Sequence, residues 1–194
     1  YVVAIRQHAF KDVAGHWAAR EIGLAFARGI VNGKTATSFA PAAPVTRAEF
    51  AAMLVRSLGL DADPAAAARF RDVPADAWYA GVVGAALKSG IITGTSETTF
   101  TPGDPITRLQ LAVMIGRALK SQGYQLEGSA DAVLAPYTDS RSVGAWARED
   151  LAMAIQAGIV KGVTATRLDP TANASRAQVA VMLVRYLDYV LGQE

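Results

Sequence analysis

Three arginines, Arg47, Arg108 and Arg176, each follow a hydroxyl residue (Thr46, Thr107, Ser175) and precede by two positions a Glu or Gln (Glu49, Gln110, Gln178). Such a run opens a helix. The hydroxyl accepts the third helical amide while the Glu or Gln side chain reaches back to the cap amide, and the cap residue alone contributes about 0.5–2 kcal/mol. These six capping residues therefore read as structural. The arginines read differently, because a cation in the first turn works against the helix dipole. Beside unpaired amides, a guanidinium there builds an anion site, and its planar fork suits a carboxylate held by two hydrogen bonds. Each charge-assisted bond contributes roughly 1.5–3 kcal/mol.

Most catalytic chemistry is poorly supplied. The 194 residues include no Cys and only two His, His8 and His16. Disulfides, thiolate metal sites and cysteine nucleophiles are thereby excluded, and a His-based metal cluster or triad has little to build on. His16 reads as a surface or capping residue, and neither a metal nor a cofactor is expected. Nineteen Lys plus Arg against 17 Asp plus Glu leave a net charge of +2. With no basic run or stripe, nucleic-acid binding is not expected. No apolar stretch approaches the roughly 20 residues of a membrane span. The opening Tyr1 to Phe10 does not read as a signal peptide, and without an initiator Met the chain reads as a mature or excised segment. A hydrophobic share of 52% supplies a substantial core.

The arginines sit in a threefold internal repeat, and that repeat dictates the positioning elements. Each lies thirty residues after a tryptophan, Trp17, Trp78 or Trp146. Twelve residues after each tryptophan begins a five-residue turn bounded by glycines: Gly29 to Gly33, Gly90 to Gly94, Gly158 to Gly162. Phe39, Phe100 and Leu168 follow, each two residues before a proline, and Met53, Met114, Met182 and Arg56, Arg117, Arg185 continue the register. Upstream stand Asp12, Asp72 and Asp139. Apolar spacing predicts first helices over 17–27, 78–88 and 146–157, ended by glycine, and second helices after each cap, the first over 47–58. The second helices are apolar on most sides and require burial against several neighbours, the methionines reading as core. The fold expected is all-α: three helical-hairpin repeats, approximately 8–58, 68–119 and 136–187, closed as one pseudo-threefold unit around a central bundle of second helices. Linkers fall at 59–67 and 120–135, the second long enough for a short helix.

These motifs, F-x-D-V, the tryptophan, G-I-V-x-G, F-x-P and T-R-A-E, resemble the S-layer homology (SLH) family, as three successive repeats from Phe10 to about Leu187. The first repeat fits best. The second has Leu109 and Gln110 in its box, and the third has Ser175, Gln178, Tyr137 and Leu168 at pattern positions. The resemblance implies a three-pronged helical unit of a secreted bacterial S-layer or other cell-surface protein. It implies a non-catalytic wall anchor that binds secondary cell-wall polysaccharide ending in pyruvylated N-acetylmannosamine, in grooves between repeats. Arg47, Arg108 and Arg176 would contact the pyruvate carboxylate. Two readings stay open for most of the other groups. Trp17, Trp78 and Trp146 either stack on a sugar or pack in the core. Asp12, Asp72 and Asp139 either accept sugar hydroxyls or cap a turn. Gly29, Gly33, Gly90, Gly94, Gly158 and Gly162 form turns and in consequence let backbone approach a ligand. A helical protein-interaction scaffold using the same grooves is the alternative. A glycosidase is disfavoured, since the obvious acids occur once per repeat instead of facing each other across one cleft.

Overall fold

A computed structural model describes residues 7–192, so the reading of the opening segment lies for Tyr1 to Arg6 outside the described residues. Among the described residues seven α-helices carry the fold: α1 (Ala19–Ala27), α2 (Arg47–Ser57), α3 (Ala80–Lys88), α4 (Arg108–Ser121), α5 (Ala130–Leu134), α6 (Ala145–Gln156) and α7 (Arg176–Leu191). Among the described residues there is no strand, only isolated bridges. The expected all-α class is observed, and α5 fills the second linker. No helix among the described residues is long and apolar enough to cross a membrane.

Helix limits follow local chemistry. All three second helices open on complete capping boxes, with Thr46, Thr107 and Ser175 accepting from the amides of Glu49, Gln110 and Gln178 and receiving the reciprocal bond. At the ends of α1, α3 and α6, Gly29, Gly90 and Gly158 adopt φ near +70°. The amide of each donates to the carbonyl three residues back, and the following isoleucine amide to the one five residues back, a Schellman closure. Two first helices start later than expected, at Ala19 and Ala80, because Trp17 and Trp78 lie in the preceding turn. Trp146 lies inside α6.

Packing runs between repeats more than within them. Among first and second helices the closely packed pairs are α2 with α3, α4 with α6 and α7 with α1, so each second helix lies against the first helix of the next repeat in cyclic order; α2 and α7 also touch, and the linker helix α5 packs on α6. This refines the expected hairpins. The second helices are buried nearly all round, as their apolar surfaces require, with eight of eleven residues of α2 buried. Their leading segments are joined by three backbone bonds that close on themselves: Val45 N–H to Ala174 C=O, Ala174 N–H to Ile106 C=O and Ile106 N–H to Val45 C=O, at 2.8–3.2 Å.

Candidate functional site

Each conserved-register arginine reaches across a repeat boundary. Arg47 donates Nε–H to the Phe100 carbonyl (2.8 Å) and stacks over the Phe100 ring at 4.7 Å. Arg176 repeats this on Phe39, at 2.8 Å and 4.5 Å, and adds an Nη2 bond to Asn32 C=O. Arg108 donates Nε–H to Leu168 C=O (2.9 Å) and Nη2–H to Lys161 C=O (3.0 Å). Leu168 stands where the others have Phe, so no ring lies beneath Arg108 at that position. The three arginine residues are 4–6% exposed. Burial lowers their pKa values, opposed for Arg47 by Asp104 and Asp72, for Arg108 by Asp169 and Asp139, and for Arg176 by Glu49 and Asp12. They remain cations.

The free helix-start amides expected to assist an anion are not free. Arg47 and Ala48 donate their amides to Asp104 and Pro102 carbonyls, Arg108 and Leu109 to Ala172 and Pro170, Arg176 and Ala177 to Ala43 and Pro41. The third amide is held by the cap. Loops of the next repeat thus complete each helix end, which leaves the side chains, not the helix terminus, to meet any ligand.

Asp12, Asp72 and Asp139 lie under the F-x-P loop of their own repeat. Each accepts from the amides of the Phe or Leu and of the residue after it: Phe39 and Ala40, Phe100 and Thr101, Leu168 and Asp169, at 2.7–3.1 Å. The second residue of each pair has φ of +53° to +58°, a conformation L side chains rarely adopt. The amide bond to Phe39, then the Ser38 hydroxyl, hold the Asp12 carboxyl down at about 2. Asp139 is lowered too, its amide partners Leu168 and Asp169 outweighing a contrary effect of burial. The turn-capping reading of the aspartates accounts for all of these bonds.

The core-packing reading of the tryptophans is overturned: Trp17, Trp78 and Trp146 are 65%, 63% and 62% exposed. Two of them border open grooves. One groove, of about 600 Å³, gathers Arg47 from the first repeat, Thr93, Gly94 and Thr95 with the Gln110, Met114 and Arg117 face of α4 from the second, and Trp146 from the third. Another, of about 370 Å³, gathers Arg108, then Lys161, Gly162 and the Gln178, Met182 and Arg185 face of α7, and Trp17. Each therefore joins three repeats rather than the two expected. Gly94 and Gly162 line the grooves, whereas the helix-ending Gly90 and Gly158 and the aspartates do not. A Cβ on Gly33, Gly94 or Gly162 would meet loop carbonyls at 2.3–2.6 Å and the ring of Phe10, Phe70 or Tyr137 at 2.4–2.9 Å, so these positions tolerate only glycine. At the corresponding place by Arg176, Lys34 Nζ pairs with Glu49 at 2.7 Å. His16 Nδ1 accepts from Ala18 N–H, a turn cap as expected.

Sequence reasoning had not assigned Arg117 and Arg185 to a site. The signal was present: Gln110, Met114, Arg117 and Gln178, Met182, Arg185 stand at i, i+4, i+7, one stripe of a helix. Arg117 is fixed by its Nε bond to buried Asp150 (3.1 Å) and an Nη1 bond to Thr93 Oγ1 (3.2 Å). Arg185 makes a single longer bond, 3.4 Å, to Ile159 C=O.

The profile of the S-layer homology domain matches residues 9–51, 69–112 and 136–180. The chain is 35% identical over 179 residues (92% of its length) to an amylopullulanase of Thermoanaerobacterium thermosulfurigenes. It is 33% identical over 165 residues (84%) to the surface-layer 125 kDa protein of Lysinibacillus sphaericus, and 29% over 184 (94%) to an S-layer protein of Bacillus thuringiensis subsp. finitimus. These stretches are 9%, 13% and 22% of the respective relatives, so the chain spans a small part of each. With three matched segments in tandem and the helical architecture they require, the chain belongs to the S-layer homology domain family.

Proposed function

We propose that this chain is a non-catalytic wall-anchoring module of a secreted bacterial S-layer or other surface protein, one that binds secondary cell-wall polysaccharide. Its ligand is a terminal pyruvylated N-acetylmannosamine, taken into the inter-repeat grooves. The observation that carries this reading is an exposed tryptophan and a buried arginine lining one open groove, found twice with residues from all three repeats. An indole face suits an apolar sugar face, and a guanidinium suits the ketal carboxylate. In this reading the aspartates shape the loop behind the groove and leave ligand contact to Arg, Trp and the glycine turn. Relatives named as enzymes and relatives named as surface-layer proteins share this segment, which favours a common attachment unit over a catalytic one. Repeats bounded near 8–58, 68–119 and 136–187 form a pseudo-threefold, three-pronged unit, a reading supported by the cyclic contacts of α2, α4 and α7.

Cosedimentation with purified wall polymer tests the function. Binding to pyruvylated polymer that disappears after the ketal is removed by mild acid is the expected result. Indifference to the polymer, with retention of a protein from wall-free extract, would replace it by the protein-interaction scaffold.

A further inference from the structure

The three arginines are not equivalent, and the difference identifies one groove. Arg108 and Arg176 each use an Nη2 donor on a carbonyl of the glycine turn, Lys161 and Asn32. Arg47 makes no such bond: among the described residues its only side-chain hydrogen bond is from Nε to Phe100 C=O. Its terminal nitrogens, on a residue 6% exposed, thus border the 600 Å³ groove with no protein acceptor. Donors of a largely buried cation that border a groove without a protein acceptor are open to a ligand, and an incoming carboxylate is the acceptor that matches their fork.

Two further features of the same groove agree. Arg117, which lines the same groove, is locked by Asp150 and bonded to Thr93, so a second guanidinium is already ordered. At the helix start Gln110 is neutral, whereas the corresponding Glu49 beside Arg176 carries a charge that repels an anion and is bridged by Lys34. The 370 Å³ groove is smaller, and its Arg185 is held by a single long bond.

Resting on the wall-anchor reading, we infer that the groove formed by Arg47, Arg117 and Trp146 is the high-affinity carboxylate-sugar site, and that the Arg108 and Arg176 grooves are secondary. A ligand there competes with carbonyls already bonded to the arginine. Arg117 is then a specificity-determining residue that meets the sugar anion in the same groove as Arg47.

Titration of synthetic pyruvylated N-acetylmannosamine, followed by the indole N–H resonances of Trp17, Trp78 and Trp146, separates the grooves; single Trp→Phe variants assign the signals. The Trp146 resonance is expected to saturate at least about tenfold below that of Trp17, the factor that corresponds to one charge-assisted bond. Arg117→Gln, which leaves Lys120 as the remaining ion-pair partner of Asp150, should weaken the Trp146 response about tenfold and leave the Trp17 response unchanged in protein that still unfolds cooperatively. Equal saturation of Trp17 and Trp146, or loss of both responses in folded Arg117→Gln, would overturn the ranking of grooves while leaving the anchor reading intact. No response of any indole to the pyruvylated sugar would overturn both.

Discussion

At the scale of single residues, an arginine set against a helix dipole finds its compensation outside its own helix. Arg47, Arg108 and Arg176 are stabilised by carbonyls and rings of the next repeat, with Asp72, Asp139 and Asp12 supplying negative charge nearby. Those partners are 53, 60 and 137 residues away, which is why spacing within one repeat disclosed the arginines but not their contacts. Thr101 illustrates strain at the same scale. It is β-branched at φ +53°, and its hydroxyl is buried with no partner among the described residues. Thr101→Gly is expected to raise stability by about 1 kcal/mol, since relief of left-handed strain outweighs the added chain entropy; urea unfolding measures it. Asp12, Asp139 and Glu49 all have lowered pKa values when folded. The unfolded chain therefore binds more protons in acid. Their contribution is complete above the unfolded carboxylate value of about 4 and is lost as pH falls toward about 2, so the urea midpoint should drop through that window.

Among elements, the second helices were the most legible, because a hydroxyl, an arginine and a Glu or Gln at fixed offsets leave one way to start a helix. Thr107→Ala removes the acceptor of the Gln110 amide and should cost about 1 kcal/mol in urea denaturation, with no shift in the positions of the other helices by chemical-shift mapping. First-helix starts were less legible. An apolar tryptophan at the edge of a periodic run fits either the start of the helix's buried face or an exposed position, and Trp17 and Trp78 lie exposed in the turn before their helices. Nothing in periodicity distinguishes an indole that stays exposed from one placed in a core. The glycine turns carry the most stringent sequence demand. Gly33→Ala sets a Cβ 2.3 Å from the Thr35 carbonyl oxygen and should cost about 3 kcal/mol, read as a lowered unfolding midpoint.

For the molecule as a whole, the decisive feature is closure of a linear repeat on itself. Bonds from Arg176 to Phe39 and Asn32, and the α7 against α1 contact, join the last repeat to the first. Helix content and repeat number could be read from one chain segment at a time; the cyclic order in which second helices choose first helices could not. Arg176→Ala should therefore lower the stability of all three repeats together, by about 3 kcal/mol, in one cooperative transition. Independent melting of the first and second repeats would contradict that linkage. The central claim is that grooves assembled by this closure hold a pyruvylated sugar. Isothermal titration calorimetry of the intact chain with synthetic pyruvylated N-acetylmannosamine, and with the same sugar lacking the ketal, tests it most directly. Saturable binding of the first and none of the second is expected; equal binding of both, or of neither, would contradict a pyruvate-selective groove.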